Sequence, residues 1–179
     1  MGWRRLVMGW RRALVSVRGL GALVAVLTLA VDQGNKLWLM FVYDIAERQP
    51  VHLAPFFDVV FARNPGISYS LLSAHSEAGR WGLVGLTLVA TACLAVWLYR
   101  SRMRITAFSL GLIIGGALGN AYDRFAYGFV ADFYHFHVGG FSWYVFNLAD
   151  VAIVAGVGLL LFESVFVKGG AGRKETALT

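Results

Sequence analysis

Four long apolar runs dominate the pattern of hydrophobic and polar positions along the chain. They cover about residues 19–43, 81–99, 105–122 and 143–167. Each run is long enough to cross a bilayer as a helix, since about 20 apolar residues at about 1.5 Å per residue span the hydrocarbon core. The pattern predicts a mainly α membrane protein with four transmembrane helices, forming one integral membrane domain over residues 1–179.

The segments between these runs, 44–80 and 123–142, carry shorter strand-like patterns. "FYHFHVGGFSWYVF" has two strand-like runs around Gly139-Gly140, which is a hairpin signal. "VHLAPFFDVVFARNPG" predicts a further strand that ends in a turn at Pro65-Gly66. We therefore expect a small β-sheet at one membrane surface, where it could cradle an extended peptide by strand addition.

Lysine and arginine residues are concentrated beside particular ends of the apolar runs. They lie before the first run (Arg4, Arg5, Arg11, Arg12 and Arg18), between the second and third (Arg100, Arg102 and Arg104), and after the fourth (Lys168, Arg173 and Lys174). Such residues remain preferentially on the cytoplasmic side. The distribution predicts that both termini are cytoplasmic and that segments 44–80 and 123–142 face outward.

Composition agrees with a membrane protein and excludes several other classes. Hydrophobic residues make up 58% of the chain and charged residues only 15%, whereas a soluble domain carries more charge. The net charge is +6, and the basic residues lie mostly beside the apolar runs. They form no basic stripe interleaved with aromatic residues, so we do not expect nucleic-acid binding. A single cysteine, Cys93, excludes an intramolecular disulfide and a cysteine-based metal cluster.

Polar residues from distant parts of the chain fall at the predicted outer ends of the apolar runs. An ionisable group inside a membrane is costly and therefore indicates a functional site. The residues are Asp32 and Lys36 in the first run, Asn120, Asp123 and Arg124 at the end of the third, Asp150 near the start of the fourth, and Asn64 and Asp132 in the outer segments. We predict that the four acids converge at the outer interface.

Small residues recur at every fourth position on the third and fourth runs. Gly111, Gly115 and Gly119 follow this spacing on the third, and Ala152 and Gly156 follow it on the fourth. Small residues at this spacing allow membrane helices to approach closely. We expect these positions to serve packing and to hold the polar helix ends together.

Several candidate residues also have purely structural explanations. Asn147 and Asp150 are spaced as a helix N-cap and an acidic third residue, and capping would be compatible with a role in a site. Asp132 alone would usually be a solvated surface group. His135 and His137 suggest metal ligands, but no third ligand has a matching spacing, so they are interpreted as residues on one face of a strand.

Two acidic residues each have a basic neighbour that could simply neutralise their charge. Asp32 and Lys36 stand four residues apart, which places them on one helical face. Asp123 and Arg124 could form a second neutralising pair or anchor a helix end. The sequence alone leaves these alternatives open.

The motifs that are absent narrow the possible chemistry. The sequence contains no H-E-x-x-H motif, no G-x-S-x-G motif and no glycine-rich phosphate loop. What remains is paired carboxylates at a membrane surface, which can share a proton and activate water without a cofactor. The alternatives are a small ion-coupled carrier, which would usually show internal repeats and a midplane site, and a non-catalytic membrane scaffold, which leaves the converging acids unexplained.

Five motifs together resemble those of signal peptidase II, a family of bacterial membrane aspartic proteases that process lipoproteins. They are "DQGNK" at 32–36, "RNPGIS" at 63–68, "GGALGNAYDR" at 115–124, "VADF" at 130–133 and "FNLADVAI" at 146–153. The resemblance extends over about residues 18–167. The family often has Asn-Thr-Gly-Ala-Ala where this chain has "NPGIS", and Pro65 removes a backbone hydrogen-bond donor there.

The resemblance implies a function and a set of site residues. Asp132 and Asp150 would be the catalytic dyad, and the substrate-binding or site-shaping residues would be Asp32, Lys36, Asn64, Gly66, Asn120, Asp123, Arg124, Asn147 and Ala149. The implied substrates are diacylglyceryl-modified prolipoproteins, cut just before the lipidated cysteine. Membrane lipids are the other expected partners of the chain. No cofactor, metal or obligatory protein partner is implied. The expected location is the bacterial cytoplasmic membrane, with the site at its outer face.

Overall fold

Long helices form most of the computed structural model, which describes residues 16–66 and 77–168. In chain order the helices are α1 (Val17–Leu37), α2 (Ile45–Arg48), α3 (Glu77–Arg100), α4 (Arg104–Tyr127) and α5 (Leu148–Phe162). π-Helical turns extend α1 over Trp38–Val42 and α5 over Glu163–Lys168. Within the described residues, α1, α3, α4 and α5 are long and apolar enough to cross a membrane, which confirms the predicted architecture.

The predicted start of the fourth helix at residue 143 was wrong, since α5 begins at Leu148. The preceding residues are extended because they pair with a strand. The backbone N–H of Trp143 donates to the carbonyl of Phe136 over 2.8 Å, and that of Phe146 donates to the carbonyl of Tyr134 over 3.0 Å. An apolar aromatic run does not by itself distinguish a helix from a strand.

The third long helix continues beyond its predicted end at residue 122. Helix α4 ends at Tyr127, where Gly128 adopts the left-handed conformation with φ 83° and its N–H bonds to the carbonyl of Arg124. Glycine suits this position because it has no Cβ. Asp123 therefore lies on the helix and not in the outer segment. The described part of α3 begins at Glu77, four positions before the predicted start.

The expected sheet lies at the end of the bundle where α1 and α4 end and α5 begins. Its strands are β1 (Val51–Ala54), β2 (Phe57–Asn64), β3 (Val130–Val138) and β4 (Phe141–Ser142), antiparallel in the order β1-β2-β3-β4. The hairpin at Gly139-Gly140 is confirmed. The segment predicted to hold one strand folds into two, because the chain turns at Pro55-Phe56.

Helix α4 occupies the centre of the bundle, packed against α1, α3 and α5. The close approach depends on small residues: a Cβ added at Gly111 would lie 2.6 Å from the carbonyl oxygen of Gly21 on α1, and one added at Gly156 would lie 2.6 Å from that of Ser109 on α4. A second core, formed by Leu39, Ile45, Val59, Ala131 and Phe133, lies beneath the sheet and fixes it to the end of α1.

Candidate active site

Asp132 lies on strand β3 and is almost completely buried. Its carboxylate accepts hydrogen bonds from two side-chain amides: Nδ2 of Asn64 lies 3.0 Å from Oδ2, and Nδ2 of Asn147 lies 2.6 Å from Oδ1. Antiparallel pairing of β2 with β3 brings Asn64 close, since Ala62 is opposite Asp132 in the register. The solvated surface position considered for Asp132 is therefore wrong, because only 2% of the residue is exposed.

Asp150 lies in the first turn of α5 and is only partly buried. Its Oδ1 accepts a 2.8 Å hydrogen bond from Nδ2 of Asn120 on α4, and its Oδ2 accepts a 3.2 Å bond from the backbone N–H of Asn147. Both carboxylate oxygens are held, and the partial exposure leaves the group accessible from outside the bundle.

Asn147 connects the two aspartates. Its side-chain oxygen accepts a hydrogen bond from the N–H of Asp150, completing a reciprocal capping box, while its Nδ2 donates to Asp132. The structural explanation for Asn147 and Asp150 is thus correct. Both residues also belong to the polar cluster. The cap holds the carboxylate of Asp150 close to the side-chain amide of Asn147, which donates to Asp132.

A buried charge cluster lies next to these aspartates, between α1 and α4. Nζ of Lys36 lies 2.8 Å from Oδ2 of Asp32 and 2.7 Å from Oδ2 of Asp123, and all three residues are at most 1% exposed. Lys36 therefore contacts both acids, and they share its single positive charge. Asp32 also accepts a 2.9 Å bond from the N–H of Ala149, and Asp123 accepts a 3.2 Å bond from that of Ala131.

These last two hydrogen bonds link the charge cluster to the elements that carry the paired aspartates. Ala149 immediately precedes Asp150 on α5, and Ala131 immediately precedes Asp132 on β3. A buried ion pair is stable only when its remaining lone pairs are satisfied, and these backbone groups satisfy them. The cluster therefore fixes the positions of both aspartates relative to α1 and α4.

Lys36 also determines which way the amide of Asn120 faces. Nζ of Lys36 donates to Oδ1 of Asn120 over 3.2 Å, and Nδ2 of Asn147 donates to the same oxygen over 3.1 Å. An ammonium group can only donate, so the amide oxygen must face Lys36. The Nδ2 group then faces Asp150, as observed.

Gly66 and Arg124 occupy the edge of the site. The N–H of Gly66 donates to Oδ1 of Asn64 over 3.0 Å, and Gly66 has φ 108°, which only glycine adopts without strain. Arg124 donates to the carbonyl of Asn120 over 3.3 Å and interacts electrostatically with Asp132 and Asp150. Asp123 pairs with Lys36, so the Asp123–Arg124 pair considered from the sequence is not the contact that forms.

Burial changes the ionisation of Asp132. Desolvation raises the pKa of its carboxyl from 3.8 to about 6, and the negative charge of Asp150 acts in the same direction. Hydrogen bonds from Asn64 and Asn147 oppose this shift, because they favour the ionised form. Asp132 therefore retains a proton to a higher pH than an ordinary aspartate does.

Gln33 belongs to the charge cluster although the sequence did not single it out as a site residue. Its Nε2 lies 2.9 Å from Oδ1 of Asp123, 3.2 Å from Oδ2 of Asp32 and 3.2 Å from the carbonyl of Gly119. The available signal was its place in "DQGNK", directly after an intramembrane aspartate. Asn35, in the same motif, accepts a 3.0 Å hydrogen bond from the hydroxyl of Tyr134 on β3.

Comparison with known proteins places the chain in a family. The family model described as "Signal peptidase (SPase) II" matches residues 24–166. The chain belongs to the signal peptidase II family. Members of the signal peptidase II family are peptidases, so this chain is a hydrolase of peptide bonds, and the predicted resemblance is confirmed.

Curated relatives of this signal peptidase II chain match most of its length. A lipoprotein signal peptidase of Methylocella silvestris is 70% identical over 158 residues, covering 88% of this chain and 92% of the relative. One from Beijerinckia indica is 63% identical over 150 residues, covering 84% and 90%. A solved structure described as a bacterial membrane enzyme has a TM-score of 0.72 at 25% identity, covering 88% of this chain and 93% of that one.

Proposed function

We propose that this chain is an aspartic endopeptidase in which Asp132 and Asp150 form the catalytic dyad. Asn147 contacts both residues, so their carboxyl groups face one small region at the end of the bundle. Two neighbouring carboxyl groups cannot both ionise readily and therefore share one proton. This pairing of a buried and a partly exposed aspartate through one asparagine is the observation that carries the proposal.

The dyad needs one carboxylate to take a proton from water and one carboxylic acid to polarise the scissile carbonyl. Burial raises the pKa of Asp132 to about 6, which favours Asp132 as the member that holds the shared proton. Asp150 accepts hydrogen bonds at both oxygens, from Asn120 and from the backbone of Asn147, which orient its carboxyl group, and its partial exposure gives water access to it. We assign proton abstraction from water to Asp150.

The proposed substrates are diacylglyceryl-modified prolipoproteins, cut just before the lipidated cysteine. Curated relatives are named lipoprotein signal peptidases. The position of the dyad supports this assignment, since Asp150 lies in the first turn of one membrane-spanning helix and Asn120 lies near the end of another. The acyl chains of such a substrate can remain in the bilayer while its peptide reaches the aspartates at the interface.

We further propose that the dyad lies at the outer face of the bacterial cytoplasmic membrane. The arginines Arg100, Arg102 and Arg104 lie at the junction of α3 and α4, at the opposite end of the bundle from the sheet. Positive residues beside spans favour the cytoplasmic side. The sheet and the dyad then face outward, with both termini in the cytoplasm. The basic residues before residue 16 and after 168 lie outside the described part of the chain.

Purified protein and two forms of one prolipoprotein test this function. The first form carries the diacylglyceryl group and the second is the same precursor without it. We expect cleavage of the lipidated form, detected by gel mobility and by mass spectrometry of the new amino terminus at the modified cysteine. Equal cleavage of both forms would indicate a general signal peptidase, and cleavage of neither would contradict the proposed function.

A further inference from the structure

Histidine and aspartate side chains from three strands meet on the sheet. His52 lies on β1, Asp58 on β2, and His135 and His137 on β3. The register places His52 opposite Asp58 and Asp58 opposite His135. The third ligand that sequence spacing did not reveal is Asp58, which strand pairing brings to the two histidines.

The ligand atoms are close enough for one ion. One atom each from Asp58, His135 and His137 lies within 4.8 Å of the other two. Nε2 of His137 lies 2.9 Å from Oδ2 of Asp58, and Nδ1 of His52 lies 2.7 Å from Oδ1. A tetrahedral zinc ion with bonds of about 2.0–2.1 Å holds its ligand atoms about 3.3 Å apart. Only small side-chain movements are therefore needed.

This cluster is separate from the paired aspartates. Successive side chains of a strand point to opposite faces, and the irregular pairing between β2 and β3 adds its extra residue to β2, leaving β3 regular. His135 stands three positions after Asp132, so His135 and His137 lie on the face opposite Asp132. An ion bound there would not contact the proposed dyad.

We propose that Asp58, His135 and His137 form a binding site for a divalent transition-metal ion of the Zn²⁺ class. Two imidazoles and one carboxylate suit zinc and its neighbours, whereas Mg²⁺ and Ca²⁺ prefer all-oxygen sites. The metal replaces the hydrogen bond between His137 and Asp58. His52 then orients the carboxylate through its other oxygen, as outer partners of metal ligands commonly do. Its side chain is 71% exposed, which leaves the site accessible from solution.

The bound ion joins β2 to β3, and through His52 it also holds β1. Strand β3 carries Asp132, so the metal stabilises the element that positions this residue without entering the chemistry. The proposal does not depend on the proposed peptidase mechanism. The protein could therefore cleave its substrate without binding metal, or bind metal without cleaving the substrate. Separate measurements of binding and cleavage distinguish these two results.

Metal binding is measured on the full chain in detergent, purified through a tag without histidine and treated with EDTA. Calorimetric titration with ZnCl₂ should give about one ion per chain, and MgCl₂ should give no heat of binding. The His137→Gln and Asp58→Asn variants should bind Zn²⁺ at least tenfold more weakly, since even outer-shell changes cost about 10–100-fold. Asp44→Asn, at an exposed aspartate outside the cluster, is the matched control and should bind like wild type.

Two further measurements keep the test decisive if a variant folds poorly. In wild type, Zn²⁺ should raise the Tm with increasing concentration, and Co²⁺ should show the visible absorption of a tetrahedral site with nitrogen and oxygen ligands. The absence of saturable Zn²⁺ binding by wild type, or wild-type affinity in a folded His135→Gln/His137→Gln variant, would overturn the proposal.

Discussion

The side-chain amide of Asn147 donates a 2.6 Å hydrogen bond to Oδ1 of Asp132. The two residues lie on different elements, since Asn147 caps α5 and Asp132 lies within β3. Because Asn147 also fixes Asp150 through its capping box, the two proposed catalytic residues cannot shift independently of it. This residue therefore offers a way to separate helix capping from catalysis.

Asn147→Ser keeps a good N-cap but removes the amide that contacts Asp132. We expect a folded protein whose kcat falls up to about tenfold, since a hydrogen bond to a neutral group contributes about 0.5–1.5 kcal/mol and about 1.4 kcal/mol corresponds to tenfold in rate. The amide favours the ionised form of Asp132. Its loss should raise the pKa of Asp132 and, because Asp132 is the member that must hold a proton, move the alkaline limb of the pH profile of kcat/KM to higher pH.

The alternative variant Asn147→Ala removes the cap as well. It should show the same displaced pH profile together with a stability loss of about 1 kcal/mol. If Asn147→Ser kept the wild-type rate and pH profile, Asn147 would be only a helix cap and the link to Asp132 would have no catalytic importance.

Asp132 should make the protein less stable as the pH rises. Its folded-state pKa of about 6 lies above the unfolded value near 3.8, so the folded state binds the proton more tightly. The stabilisation is complete at low pH and is lost as the pH rises from about 4 to about 6. In Asp132→Asn this loss should be absent, so the Tm difference between the variant and wild type should grow in the variant's favour across that window. A difference that does not change with pH would contradict the raised pKa.

Removal of Lys36 should strongly destabilise the protein. Lys36→Met leaves Asp32 and Asp123 buried without a counter-ion, and breaking a buried pair in this way costs about 3–5 kcal/mol. Thermal unfolding in detergent would measure the loss. The Lys36→Met/Asp123→Asn variant should recover part of the stability, because one of the unpaired charges is gone. Wild-type stability in Lys36→Met would show that the acids are not ionised together.

Gly119 should not tolerate a methyl group. A Cβ at this position would lie 2.5 Å from Oδ2 of Asp32, within the charge cluster. Gly119→Ala should therefore lower both Tm and activity. The matched control is Gly85→Ala on α3, where a Cβ has no neighbour within 4 Å. Alanine favours the helix by about 1 kcal/mol, so Gly85→Ala should be neutral or stabilising. Equal effects of the two substitutions would contradict the close packing at Gly119.

The sequence predicted the four long helices because their apolar runs have the length that a bilayer requires. It also predicted that Asp32, Asp123, Asp132 and Asp150 would lie at one end of the bundle, since each falls at the corresponding end of a run or in a connecting segment. Chain direction and helical rise were sufficient for that conclusion.

Contacts between strands and between helices could not be predicted in the same way. The start of α5 depends on the pairing of Phe146 with Tyr134. This long-range contact cannot be predicted from local hydrophobicity. The proximity of Asp58 to His137 likewise depends on the strand register. The pairing of Lys36 with Asp123 required the packing of α1 on α4, whereas the sequence suggested only ion pairs between near neighbours and left these open.

The most direct measurement of the central claim is kcat/KM for lipidated prolipoprotein with wild type, Asp132→Asn, Asp150→Asn and the double variant. Each single change should lower activity at least about a hundredfold, as expected for the loss of a general acid or base. The double variant should be scarcely worse, because groups that act together are not additive. Asp44→Asn, at an exposed aspartate outside the site, is the control and should retain activity. A folded Asp150→Asn protein with the wild-type rate would contradict the dyad.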